Sequence, residues 1–118
     1  MRTREDAIAY CLTLPGAYED YPFDDTNWTL MRLHGSRRSF ACIFEREGRI
    51  WINVKCDPEW AAFWRNTYPS VLPAYHMNKR HWNSLILDGS IPDREIEAMI
   101  FDSYELVRGR RLPPKEDL

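Results

Sequence analysis

The chain has 118 residues, a formal net charge of −2 at pH 7 and hydrophobic residues at 44% of its positions. This length and composition are typical of one globular domain with a core of its own. The acidic balance excludes a surface that is basic all over, so a nucleic-acid contact would need cations gathered on one face. No apolar run approaches the roughly 20 residues of a membrane span, so we predict no membrane partner.

The cysteines and the first ten residues predict the compartment. Cys11, Cys42 and Cys56 are odd in number and form no closely spaced pair, so free thiols are expected rather than a disulfide scaffold. The opening residues, "MRTREDAIAY", are charged and lack the apolar stretch of a signal peptide. We therefore expect a cytoplasmic protein.

The first half of the chain predicts a helix followed by three strands. Residues 3–12 favour a helix with Thr3 as N-cap. Residues 17–27 are interpreted as a polar, aromatic connector. Short turns separate the strands that follow, so they are expected to be antiparallel neighbours. The predicted strands are 28–33, 39–45 and 49–55.

The second half predicts two further helices around one clear strand. Asp57 and Pro58 favour the N-cap and first position of a helix, and Pro92, preceded by Ser90 or Ile91, favours the start of the last helix. Residues 81–89 predict a strand, and residues 71–75 a weaker extra one. The buried stripe predicted for the middle helix is Trp60, Phe63, Trp64 and Thr67. That of the last helix is Ile96, Met99, Ile100, Ser103, Tyr104 and Val107, with Gly109 as the residue after its C-cap.

Together these elements predict an α+β domain over residues 1–108 and a short C-terminal tail over 109–118. The predicted order is α-β-β-β-α-β-α. An antiparallel sheet needs one covered face, and the first and last helices each carry one apolar stripe. We therefore expect those two helices to pack on the same face of the sheet.

Four strings of the sequence carry a resemblance to a known family. They are "CLTLPGAYEDYPF", "VKCDPE", "PAYHMNKRHWNSLILDGSIPD" and "SYELV". The chain resembles the MmcQ/YjbR family over residues 4–108. The resemblance implies a CyaY-like, that is frataxin-like, fold and a DNA-binding label based on a double-wing arrangement of strands. It implies no catalytic residues and no cofactor, so we predict no enzyme activity. The matching motif supplies a candidate surface: His76, Asn78, Lys79, Arg80, His81, Trp82 and Asn83.

The first functional hypothesis is a weak, poorly sequence-specific contact with DNA. Cations at two predicted hairpin tips would meet phosphates, and the loop 75–83 would add charge and a stacking face. The hypothesis requires that these loops converge on one surface. Its residues are Arg37, Arg38, Arg46, Arg49, His76, Asn78, Lys79, Arg80, His81 and Trp82.

A purely structural interpretation of the run 75–83 stands beside this hypothesis. In it the run is a loop leading into a strand, and Trp82 covers the sheet or joins the core. Asn78 and Asn83 would cap turns, and a polar network would tie the loop to the sheet.

Three further alternatives remain. The main one is a protein-interaction module, whose candidate surface is Tyr18, Tyr21, Phe23 and Trp28. A small-molecule site would need a deep pocket near His76 and His81. A metal site is disfavoured, because those two histidines are five residues apart and the acidic residues form no dense ridge. The frataxin likeness suggests iron as the metal, and the acidic residues considered for it are Glu5, Asp6, Glu19, Asp20, Asp24 and Asp25. Cys56, beside Asp57, is interpreted as structural rather than nucleophilic.

Overall fold

An antiparallel sheet of six strands forms the fold, and the computed structural model describes it over residues 1–109. Apart from Gly109, the predicted tail lies outside the described residues. The strands lie side by side in the order β1-β2-β3-β4-β6-β5. The α+β class is therefore confirmed. In chain order the elements are α1 (Arg4–Leu12), β1 (Ala17–Asp20), β2 (Thr29–Leu33), β3 (Ser39–Arg46), β4 (Arg49–Lys55), α2 (Pro58–Thr67), β5 (Val71–Pro73), β6 (Trp82–Ile86) and α3 (Asp93–Val107).

Both edge strands are absent from the predicted order. β1 lies in the segment interpreted as a connector, and β5 in the stretch that only weakly suggested a strand. Each is short, at four and three residues, and too short to show an alternation. Their pairing with β2 and β6 supplies the hydrogen bonds that make them strands.

All three helices contribute to one core on one face of the sheet, rather than the first and last alone. The stripe predicted for α3 is confirmed in full, from Ile96 to Val107. Within it, the Ser103 hydroxyl donates to the Phe40 carbonyl at 2.6 Å and accepts from the Lys55 N–H at 2.8 Å. One small polar side chain therefore joins α3 to both β3 and β4.

The stripe predicted for α2 is wrong in part. Ala61 and Trp64 are its buried residues, and Trp60 and Phe63 are half-buried. Thr67 is exposed, and its hydroxyl donates to the Phe63 carbonyl at 2.7 Å. Because α2 lies over the β5–β6 edge of the sheet, only part of its apolar face is covered.

Two helix starts and one helix end lie where the sequence predicts them. Thr3 and Asp6 form the capping box of α1. Asp57 occupies the N-cap position of α2, although its side chain makes no capping hydrogen bond. Gly109 follows the C-cap of α3 with a φ of 96°. Within residues 1–109, no helix has the length and apolar content needed to cross a bilayer.

The face of the sheet opposite the helices is named the open face here. Strand alternation places Leu30, Cys42, Phe44, Trp51 and Asn53 on it, apart from the main core. The chain leaves β5 at Pro73 and folds back over this face before it enters β6 at Trp82. Segment 74–81 is therefore the cover of the open face.

Candidate binding site on the open face

A buried polar network holds segment 74–81 on the sheet. The Asn53 side-chain amide donates to the Tyr75 carbonyl at 2.8 Å, and the Tyr75 N–H donates to the Ser84 hydroxyl at 2.9 Å. Ser84 in turn donates to the Asn53 side-chain oxygen. Asn53 and Ser84 are both buried. The structural interpretation of the run, a polar network tying the loop to the sheet, is thereby confirmed.

Two further contacts shape the end of the segment. The Asn78 side-chain oxygen accepts from the N–H groups of Arg80 (2.9 Å) and His81 (3.3 Å), which confirms Asn78 as a turn cap. From α2, the Arg65 guanidinium donates to the Lys79 carbonyl and to the Trp82 carbonyl at 3.2 Å.

Asn83 does not cap a turn, contrary to prediction. It pairs with Val54 in the sheet, so it faces the helices and is buried. Its side-chain amide donates to the Ala61 carbonyl at 3.3 Å, and its oxygen accepts from Arg65 Nε at 2.6 Å. The period of two in β6, rather than the turn propensity of Asn, determines where this residue lies.

A row of aromatic rings crosses the open face. Trp28 stacks on Phe44 with ring centroids 4.2 Å apart, and Phe44 stacks on Tyr75 at 5.7 Å. The His76 ring lies 4.0 Å from that of Tyr75 and 6.5 Å from that of Trp28. His76 has a φ of 62°, a left-handed conformation that is costly for a residue with a Cβ. The surrounding contacts hold this residue beside Trp28.

An apolar cleft of about 440 Å³ opens beside this row. Leu30 and Cys42 contribute its buried sheet residues, and Trp28 forms one wall. Phe23, which is 54% exposed, lines it from the segment between β1 and β2. The apolar cleft is defined by Phe23, Asp25, Trp28, Leu30, Ser39, Cys42, His76 and Met77.

Arg4 of α1 fixes the entry to β2, and hence the Trp28 wall. Its guanidinium donates to the Asn27 carbonyl at 2.6 Å, the Thr29 hydroxyl at 3.1 Å and the Ile43 carbonyl at 3.0 Å. It also donates to the Asn27 side-chain oxygen at 3.0 Å. Sequence reasoning missed Arg4, because an arginine in a first helical turn has the pattern of a solvated charge.

A basic recess lies next to the apolar cleft, at the end of the sheet where β3 begins and β4 ends. Arg32 pairs with Asp20 at 2.8 Å, whereas neither Arg38 nor Lys55 forms an ion pair within residues 1–109. Ser39 lines both hollows, so they meet there. The basic recess is defined by Arg32, Arg38, Ser39, Lys55, Trp82 and Val107.

Two of these cations, Arg32 and Lys55, were not among the predicted site residues. The alternation of inward-facing and outward-facing residues in β2 and β4 could have identified them. Arg32 lies between the inward-facing Met31 and Leu33, and Lys55 continues the outward series of β4.

The second hairpin tip does not join this recess. Arg37 and Arg38 precede β3 whereas Arg46 ends it, so seven steps of about 3.3 Å separate the two tips by roughly 23 Å. Arg46 pairs with Glu47 at 2.6 Å and lies over the Tyr75 ring at 4.3 Å. Arg49 faces Asp88 at 3.8 Å. Successive turns of an antiparallel sheet lie at opposite ends, so this separation was already implicit in the predicted strands.

The other predicted site residues are exposed. Lys79, Arg80 and His81 directly precede Trp82, which pairs with Lys55, so they lie toward the same end of the sheet as Arg38. None of them forms an ion pair with another described residue. His76 lines the apolar cleft and His81 does not. The predicted pocket near both histidines therefore involves His76 alone.

All three cysteines are free and buried. Burial raises the pKa of the Cys42 thiol to about 11. Burial, with Asp102 and Asp57 nearby, raises that of Cys56 to about 12. Both are therefore thiols rather than thiolates at neutral pH. In the described part of the chain, no three His, Cys, Asp or Glu side chains are placed to hold a metal ion.

The known proteins that resemble this chain match it over most of its length. The model of the YjbR family matches residues 12–106. The uncharacterised protein YjbR of Escherichia coli is 33% identical over 103 residues, which cover 87% of this chain and 85% of that protein. The uncharacterised protein YyaQ of Bacillus subtilis is 32% identical, over 92% of this chain and 100% of that protein.

Solved structures agree in fold. A crystal structure of a Deinococcus radiodurans protein superposes with a TM-score of 0.85 at 31% identity, covering 98% of this chain and 86% of that one. A Pseudomonas syringae crystal structure gives a TM-score of 0.78 at 26% identity, covering 88% of this chain and 97% of that one. With the family model matched over most of its length, this chain belongs to the YjbR family.

Proposed function

We propose that the chain is a non-catalytic protein that binds DNA weakly, with little sequence specificity, at the basic end of the open face. The observation that carries the proposal is the basic recess, where Arg38 and Lys55, which form no ion pair with another described residue, lie beside the half-buried Trp82. Arginine and lysine side chains contact phosphates, and an indole ring can stack on an unpaired base. We therefore expect single-stranded DNA to be the favoured ligand.

The proposed contact differs from a double wing formed by two hairpin tips. Arg46 and Arg49 face acidic side chains at the other end of the sheet, so they are left out. No asparagine or glutamine, the residue types that pair with adenine, is among the residues that define the recess, which supports low specificity. The cations of the proposed contact are Arg37, Arg38, Lys55, Lys79 and Arg80.

The absence of catalysis and the cytoplasmic location are parts of the same proposal. The thiols of Cys42 and Cys56 are protonated at neutral pH, which supports a structural role for them. All three cysteines are free, which suits a reducing compartment where DNA is also found.

Fluorescence anisotropy with a labelled strand of about 20 nucleotides, at about 50 and 200 mM salt, tests the contact. We expect binding at low salt that weakens steeply at high salt. Arg38→Glu combined with Lys55→Glu should lower the affinity at least about tenfold. The matched control, Arg49→Glu with Arg94→Glu, makes the same change in net charge away from the recess.

Two results would overturn this proposal. Absence of binding by the parent protein at low salt removes DNA as a ligand. An equal loss in the two double variants would show that only net charge matters and that the recess is not the site.

A protein-interaction role is the second candidate, and an exposed apolar patch favours it. Leu12 and Tyr21 are 44% and 48% exposed. Leu12 and Tyr21 line a further hollow between α1 and the edge strand β1. A pull-down that recovers a stoichiometric partner, lost in Tyr21→Ser, would favour this role. Recovery unchanged by that substitution would count against it.

A further inference from the structure

The apolar cleft meets the basic recess of the proposed DNA contact at Ser39. We infer that the cleft binds a small amphipathic anion, a molecule with a flat apolar body and one acidic group at its end. This inference shares Arg38 and Lys55 with the proposed DNA contact, but it does not rest on that contact, because it is tested without nucleic acid.

Size and lining indicate the body of the ligand. The cleft, at about 440 Å³, is within the range of about 300–1,000 Å³ that is common for small-molecule pockets. Its walls are the rings of Phe23 and Trp28 and the side chains of Leu30 and Met77. Aromatic walls favour a flat, ring-containing body, and a methionine adapts to its outline.

The walls are held in place before any ligand arrives. Trp28 is stacked on Phe44, and Arg4 binds the residues on either side of Trp28 through Asn27 and Thr29. Across the cleft, the network of Asn53 fixes the chain just before His76. A preformed cleft lowers the ordering cost of binding.

Charge along the lining of the cleft gives the ligand its direction. At the Ser39 end the cleft meets the basic recess, where Arg38 and Lys55 are unpaired among the described residues. Asp25 contributes a carboxylate elsewhere on the lining, and that carboxylate repels an anion. An acidic group on the ligand is therefore placed at Ser39, with the apolar body along Trp28. A ligand without charge would gain nothing from this asymmetry.

Two dyes separate the apolar and anionic parts of this inference. Anilinonaphthalene sulfonate carries the acidic group, and N-phenylnaphthylamine has the same rings without it. We expect the sulfonate to bind the parent protein more tightly. Arg38→Gln with Lys55→Gln should weaken sulfonate binding about tenfold and change binding of the neutral dye less than about twofold.

A second variant tests the cleft itself. Phe23 is largely exposed and outside the core, so Phe23→Ser should leave the fold intact, as a thermal melt followed by circular dichroism would show. It should weaken both dyes several-fold. The matched control is Tyr21→Ser, on the other apolar patch, which should change neither.

Two results would overturn the inference. Equal affinities for the two dyes, unaffected by loss of Arg38 and Lys55, would show that the cleft does not select a ligand with an acidic group. Dye binding that responds to Tyr21→Ser and not to Phe23→Ser would place the dyes on the other patch and leave the cleft without a ligand.

Discussion

At the scale of single residues, a few polar side chains determine the shape of the open face. Arg4, Asn53 and Arg65 each lie on one element and donate to backbone carbonyls of another segment. Such bonds contribute about 1 kcal/mol each, but a buried carbonyl left without a donor costs more. These residues therefore matter most where their loss leaves a buried partner unsatisfied.

Asn53→Leu tests this point. The substitution leaves the Tyr75 carbonyl and the Ser84 hydroxyl without their partner in a buried place. We expect the free energy of unfolding to fall by roughly 2–3 kcal/mol, measured by urea denaturation. Asn66→Leu, on the exposed side of α2, is the control and should change it by less than about 0.5 kcal/mol. Equal effects of the two substitutions would contradict the role of the network.

Asp102 predicts a dependence of stability on pH. Burial, and secondarily the nearby Glu105, raise the pKa of its carboxyl from 3.8 to about 6. The folded chain then holds a proton that the unfolded chain has lost, so stability falls as pH rises from about 4 to about 6. Asp102 also raises the pKa values of Tyr10 and Cys56.

Asp102→Asn should therefore remove that fall. We expect the variant to be more stable than the parent above pH 6, with the difference shrinking as pH decreases toward 4. Urea denaturation at several pH values measures it. A constant difference across this range would show that Asp102 does not titrate as described.

The carboxyl of Asp88 titrates at lower pH. Burial opposes its ionisation, but hydrogen bonds from Ser70 and Ser90 outweigh burial and lower the pKa of Asp88 to about 2.

At the scale of elements, the hairpin turn between β3 and β4 depends on two residues with a positive φ. Glu47 and Gly48 both have positive φ, at 55° and 76°, as a two-residue type I′ turn requires. A Cβ at Gly48 would meet nothing within 4 Å, so only the backbone conformation opposes a side chain.

Gly48→Ala should consequently lower the free energy of unfolding by about 1–2 kcal/mol. Gly48→Asn is the matched comparison, and it should cost less because asparagine tolerates the left-handed region. Thermal denaturation of the two variants measures the difference. An alanine variant as stable as the asparagine variant would mean that the turn relaxes to another type.

At the scale of the whole molecule, the two faces of the sheet are covered differently. Three helices cover one face, and segment 74–81 with the stretch before β2 covers the centre of the other. Cys11 lies in the core under the helices, whereas Cys42 lies at the apolar cleft. Local opening of a short loop costs less than opening of a helical layer.

Thiol labelling should reveal this asymmetry. With a small alkylating reagent, we expect Cys42 to be modified well before Cys11, as followed by mass spectrometry of the peptides. Cys42→Ala should remove the fast phase. Because both thiols are buried, with pKa values of about 11 and 12, reactivity differs through access rather than ionisation. Equal rates for the two cysteines would indicate that both react only after global unfolding.

Much of the fold could be predicted because its signals are local. The N-cap at Thr3, the stripe from Ile96 to Val107 and the strand at 49–55 each depend on residues close in sequence. The edge strand at Ala17–Asp20 could not be found in this way, since it is stabilised by β2 rather than by its own pattern.

The candidate site was predicted less completely, and the reason is physical. The sequence by itself determined the family, the α+β class and a chemically unusual run at residues 75–83. Only the tertiary structure decided which cations share a surface: it brings Arg38 beside Lys55 and places Arg46 at the far end of β3. It likewise forms the apolar cleft from residues distant in sequence, because strand pairing and loop placement depend on contacts that no local pattern encodes.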